Sequence, residues 1–173
     1  MTTTLALVLL GLAAVAPLPL SHRKVVPWLG PAVELALLAG AAIAAAYSPK
    51  VTGVEIGTTL AVSVAAAAIG GMPLAPQAFR IARRQPDTGG LPAPSTGPLR
   101  GGRAIGVLER TAVAAAVLAG KGPEGIAIVM VVKGLARYPE LRDPTVSEQF
   151  IIGTFTSVLW AVAVAAVGKG MLT

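Results

Sequence analysis

Six apolar stretches dominate this chain, and their length constrains every other reading. They run at about Thr4–Leu20, Trp28–Tyr47, Val54–Met72, Ala104–Gly120, Glu124–Tyr138 and Val146–Val167. A helix rises 1.5 Å per residue, so about 20 apolar residues cross a bilayer's hydrocarbon core. Inside that core every backbone polar group must be satisfied within the protein, which leaves helices or closed barrels. The second, third and sixth stretches meet the length easily. The first is short and ends in Pro17 and Pro19, while the fourth and fifth carry charges. The fold class expected is all-α: a polytopic transmembrane helix bundle of about six spans in two three-helix halves. Five spans are the alternative.

Composition points the same way. Charged residues make up 13% of the chain and hydrophobic ones 54%, with a mean hydropathy of +0.75. A soluble domain carries roughly 25% charged residues. There is no cysteine, which excludes disulfides and thiolate metal sites. The opening "MTTTLALVLLGLAAVAPLPL" lacks the positive region of a secretory signal. It reads as an uncleaved first span.

Helix breakers fall between the stretches. "SPKVTG" separates the second and third, "GKGP" makes a tight turn between the fourth and fifth, and "DPT" offers an N-cap acid followed by Pro at the first helical position. The long connector contains "QPDTGGLPAPSTGPLRGG" and reads as a flexible linker. The chain thus divides into an N-terminal membrane half (1–72), a cytoplasmic linker (73–102) and a C-terminal membrane half (103–173).

The net charge of +6 speaks of topology rather than nucleic acid. With the N-terminus outside, the inner side receives Arg23, Lys24, Arg80, Arg83, Arg84, Arg100, Arg103, Arg110, Lys133, Arg137 and Arg142. The outer side receives Lys50, Lys121 and Lys169. Cytoplasmic loops collect Lys and Arg, so the expected location is the bacterial cytoplasmic (inner) membrane, multi-pass, N-terminus out and linker in. Trp28, Tyr47 and Tyr138 sit at predicted span ends, as interfacial aromatic residues do.

The remaining charges lie at one depth. Counting 1.5 Å per residue from the cytoplasmic ends puts Glu34, Glu109, Arg110, Lys133, Arg137 and Glu148 in a single layer near the inner boundary. Three are acidic and three basic, as paired burial requires, because an unpaired ion in hydrocarbon costs several kcal/mol. Glu109 and Arg110 point about 100° apart on their helix and so face different neighbours. Lys133 or Arg137 is the natural partner of Glu109, and Glu34 or Glu148 that of Arg110. Two uses of the layer are open. It fixes helix order, or Arg103, Arg110, Lys133 and Arg137 form a basic pocket for an anionic lipid headgroup. A proton- or ion-coupled path through Glu34 and Glu109 is the further alternative. Gly153, Thr154, Thr156 and Ser157 make a small-residue face suited to close helix packing.

"GRAIGVLERTAV", "VVKGLARYPELRD" and "SEQFIIGTFTSVLWA" stand in that order. Over Gly101–Val167 they resemble the C-terminal part of an uncharacterised bacterial integral-membrane family. Its pattern is Gly-Arg-x-Ile-Gly-x-Leu-Glu-Arg, then a Lys-x-x-x-Arg stretch and Glu-x-x-x-x-Gly-Thr-x-x-Ser. Arg103, Gly106, Glu109, Arg110, Lys133, Arg137, Glu148, Gly153, Thr154 and Ser157 match that pattern. The family's first-helix His-Leu-Leu-Ala-Asp-Phe-like motif has no counterpart in "TLALVLLGLAAVAPLPL". The resemblance implies that the charged layer belongs to a shared pattern, and it brings no reaction with it.

The function expected is a non-catalytic binding or assembly protein of the membrane, holding anionic headgroups at its charged layer. A small transporter or channel subunit is the first alternative and a lipid-modifying enzyme the second. Expected partners are membrane lipids and a second membrane subunit, of the same chain or another. No nucleic acid, cofactor, metal or catalytic residue is expected.

Overall fold

The computed structural model describes residues 1–16, 28–82 and 102–173. These residues are all-helical, with no strand among them. In chain order the helices are α1 (Thr2–Val15), α2 (Leu29–Ala46), α3 (Val54–Ile69), α4 (Leu74–Ala82), α5 (Gly102–Leu118), α6 (Gly122–Arg137) and α7 (Pro144–Leu172), with a 3-10 turn at Glu140–Arg142. Three stretches are long and apolar enough to cross a membrane: Leu29–Ala46, Val54–Ala82 and Val146–Leu172. The second includes both α3 and α4, so this stretch is a broken helix. α1 is apolar but shorter.

Local chemistry explains the helix ends. Pro31 sits in the first turn of α2, where its missing N–H removes no intrahelical bond. The α5–α6 turn closes as a Schellman motif. Lys121 N–H donates to Ala116 O, Gly120 N–H donates to Val117 O, and Gly120 adopts φ +76°. Asp143 caps α7 as expected, its Oδ1 accepting from Val146 N–H at 3.3 Å.

The connector does not begin as a loop. Its first part is α4, which lies on α7 with Phe79 over Gly153. An added Cβ on Gly153 would come within 3.0 Å of the Phe79 ring. The small-residue face of α7 therefore receives a helix, in keeping with its reading as a packing surface. The rest of the connector (83–101) lies outside the described residues, as do His22, Arg23 and Lys24.

α7 is the hub. It packs against α2, α3, α4 and α5, and α3 also contacts α1 and α5. The main core joins Leu10, Leu38, Ala66, Ala67, Val113, Trp160 and Val164 from five of these helices. Small side chains bring the helices close. A Cβ on Gly168 of α7 would overlap Ser63 of α3, and one on Gly125 of α6 would overlap Ala116 of α5. Such contacts supply the dispersion that drives helix association in lipid. α6 packs chiefly on α5 and exposes Ile128, Val131, Val132 and Leu135.

One end of the bundle carries lysines. Lys50 Nζ donates to Gly170 O at 2.8 Å, and a Cβ on Gly120 would lie 3.8 Å from Lys169 Nζ. Lys50 thus satisfies a carbonyl at the negative end of α7. Trp28, Tyr47 and Tyr138 are all exposed.

Candidate functional site

The break between α3 and α4 gathers three of the buried polar side chains among the described residues, Glu34, Arg110 and Ser157. The sequence "IGGMP" causes the break. Gly71 takes φ +43°, which an L side chain rarely adopts, and Pro73 follows. A helix that stops here leaves its last carbonyls without intrahelical donors. Two helices bring donors to these carbonyls, and a third accepts a backbone N–H of the break.

Arg110 of α5 supplies the first donors. Its Nε and Nη2 both donate to Ala68 O, at 3.0 and 2.7 Å, and Nη1 donates to Ser157 Oγ of α7 at 3.2 Å. The side chain is 6% exposed. Its guanidinium folds back over its own helix, where a Cβ on Gly106 would meet Nη1 at 3.3 Å. Gly106 leaves the room this conformation uses.

Trp160 of α7 supplies the second. Its Nε1–H donates to Ala66 O at 3.4 Å, beside the helical bond from Gly70 N–H, and its indole lies against both glycines. A Cβ on Gly70 would overlap the ring, and one on Gly71 would lie 2.7 Å from Cδ1.

Glu34 of α2 completes the centre from the other side. It is 0% exposed, and its Oε1 accepts from Gly71 N–H at 2.5 Å. Oε2 has no hydrogen-bond partner among the described residues. Glu34 and Arg110 act on each other electrostatically, yet they form no ion pair within 4.0 Å. Each holds the backbone of the break instead. This corrects the expected pairing of Arg110 with Glu34 or Glu148. The physical reason is competition: the freed Ala68 carbonyl takes two guanidinium donors in a fork that Arg supplies and a carboxylate would otherwise occupy.

Glu109, Lys133 and Arg137 of the expected layer have partners away from the break. Glu109 pairs with Lys133 at 2.5 Å, one of its two expected partners, with 16% and 22% of those side chains exposed. Lys133 also lies 5.7 Å from the centre of the Phe150 ring. Arg137 pairs with Glu140 at 2.6 Å. Arg103 is exposed and Glu148 half-buried, neither with a hydrogen bond or ion pair among the described residues. The four basic residues named from the sequence therefore turn to different neighbours. Arg110 is enclosed, Lys133 and Arg137 are paired with acids, and Arg103 stands open.

Sequence reasoning missed the role of Gly70, Gly71 and Trp160. The available signal was "GGMP" at the end of an apolar run, a helix-breaking cluster at the depth where Glu34 and Arg110 were placed. Thr59 Oγ1 and Ser63 Oγ are also buried without a partner among the described residues, one turn apart on α3. Among the described residues no group of three or more His, Cys, Asp or Glu is arranged to hold a metal ion. The chain matches no family model, no curated protein and no solved structure.

Proposed function

We propose that this is a multi-pass membrane protein whose working part is the broken third span, and that it acts as a small transporter or channel subunit. The observation that carries the reading is the fully buried Glu34 carboxylate bonded to the backbone of the break, with Arg110 on the same break. Ionisable side chains inside a membrane domain are costly and mark ion or substrate paths. Discontinuous spans at such groups are a recurring transporter design, because the interrupted backbone faces the solute with its free polar groups.

The six-span, N-out arrangement in a bacterial inner membrane remains part of this proposal. The Glu109–Lys133 pair supports it by neutralising the two charges that most burden insertion of the α5–α6 hairpin. The clustering of Lys50 and Lys169 at one end is consistent with a lysine-poor outer face. Kinship with the uncharacterised membrane family belongs here too, since Arg110 and Ser157 of its motifs both help build the centre.

A second reading is favoured by Arg103, which is exposed and unpartnered two helical turns from Arg110. In that reading the chain is a non-catalytic binding or assembly protein holding an anionic headgroup. One experiment separates the two. The full chain is reconstituted into liposomes, and fluxes of protons and a panel of small labelled ions are followed under an imposed gradient. Transport gives flux above protein-free liposomes that Glu34→Gln lowers several-fold. Absence of flux for every probe, with anionic lipid retained through purification, overturns transport in favour of binding.

A further inference from the structure

We propose that Glu34 is a proton-binding latch: protonation of its carboxylate weakens its hold on Gly71 N–H and frees α4 to swing about Gly70–Gly71. This deepens the transport reading by naming the coupling ion and the moving part, and it rests on that reading for its purpose though not for its geometry.

Three observations meet here. The first is a hinge. Gly71 has a positive φ and Gly70 precedes it, so the chain between α3 and α4 has rotational freedom that other residues lack. The second is a contrast in anchoring on its two sides. Ala66 and Ala67 of α3 are fully buried in the main core, whereas α4 has no buried residue and leaves Ile81 exposed. α4 is held by partly buried side chains only, Leu74 at the edge of the main core and Phe79 against Gly153 of α7. Motion at the hinge therefore moves α4 and leaves α3 fixed. The third is the latch itself. Glu34 Oε1 bonds the N–H of the hinge residue, and Oε2 makes no bond among the described residues.

A charged carboxylate holds an N–H about twice as strongly as a neutral acid does. The proton enters on Oε2, whose lone pairs no described group uses, and leaves by the same oxygen. No other bond is made or broken. Few charges compete for control. α1 carries no ionisable side chain, and α7 meets this region with Ser157 and Trp160, which are neutral. Glu55 lies in the first turn of α3, at the far end from the break. Arg110 from α5 is the charged side chain that acts on Glu34. It bonds Ala68 O on the fixed side of the hinge, so it keeps its place while α4 moves.

The test measures α4 directly. Spin labels on Ile81→Cys and Tyr47→Cys, both exposed positions, report the distance between α4 and the far end of α2 in lipid nanodiscs. Spectra are taken at about pH 3 and about pH 10, below the usual carboxyl range of about 4 and above the roughly 8–9 that buried carboxyl groups reach. The expected result is a shift in the distance distribution between the two pH values. Glu34→Gln abolishes the shift and keeps the low-pH distribution at both, because the amide stands in for the neutral acid. Glu34→Asp provides a second variant that retains the charge, and it retains a pH-dependent shift. A pH-independent distribution in the unmodified chain, or a shift that survives in Glu34→Gln, overturns the latch. The transport reading fails separately: liposomes without flux but with a pH-driven swing leave the latch standing, and flux without a swing removes the latch alone.

Discussion

Gly71→Ala is the sharpest probe of the break, because its cost has two parts that a second substitution separates. The first part is conformational. Gly71 sits at φ +43°, and an L-residue held in the left-handed region loses about 1–2 kcal/mol. The second part is steric. The new methyl would lie 2.7 Å from Trp160 Cδ1, 3.1 Å from its Cγ and 3.3 Å from Arg110 Cδ. These neighbours are buried and held by hydrogen bonds to Ala66 O and Ala68 O. Overpacking of this kind costs about 1–3 kcal/mol. The total is about 2–5 kcal/mol, a large share of a typical folding free energy. Trp160→Ala alone costs about 3–5 kcal/mol through the cavity it leaves. In the double variant the methyl enters that cavity, so the steric part vanishes while the conformational part stays. The pair is then less destabilised than the sum of the singles by about 1–3 kcal/mol. The assay is reversible unfolding by sodium dodecyl sulfate in mixed micelles, followed by far-ultraviolet circular dichroism across the four variants. Additivity to within about 0.5 kcal/mol would show that Trp160 does not close on Gly71, and the account of the break would fall.

Two further substitutions use the same titration. Arg110→Gln leaves Ala68 O without its forked donor and Glu34 without its compensating charge, at about 3–5 kcal/mol; Arg110→Lys restores the charge but not the fork and loses distinctly less. Equal losses in the two variants would mean that Arg110 acts through its forked geometry alone and that its charge contributes nothing here. Gly125→Ala drives a methyl into Ala116 of the facing helix and costs about 1–3 kcal/mol, most of which Ala116→Gly returns in the same chain. Failure of that rescue would place the close contact of the α5–α6 hairpin elsewhere.

Depth along each helix was legible in the sequence and direction around it was not. Counting residues from the span ends brought Glu34 and Arg110 to one level, and both reach Gly71. The same count, with the α5–α6 turn, gave Lys133 as a partner for Glu109. The exposed aromatic residues at the span ends and the Asp143 cap follow from local chemistry alone. What a single sequence does not hold is which helices become neighbours. Arg110 was read as needing a carboxylate because a charge in oil needs a counter-charge. The broken end of α3 offered it carbonyl oxygens, and that acceptor exists only once α3, α5 and α7 are packed together. Similarly, α4 was hidden in a connector rich in Pro and Gly, because its partner is Gly153, far along the chain.

The spacing of the centre's contacts also fixes when it is completed as the chain is made. Glu34 lies 37 residues before its partner Gly71, and Ala66 lies 94 residues before Trp160. At about 5–20 residues per second, the break waits roughly 5–20 s for its last donor. Throughout that interval Glu34 and Ala68 O gain their partners Gly71 and Arg110 as these emerge, while Ala66 O holds only its helical bond from Gly70 and both glycines lack the indole that covers them. Chains halted before Trp160 thus leave Gly70 and Gly71 uncovered, and they are the natural targets of membrane quality-control proteases. A ribosome-arrested series truncated on either side of Trp160 would divide into short-lived and long-lived products at that residue.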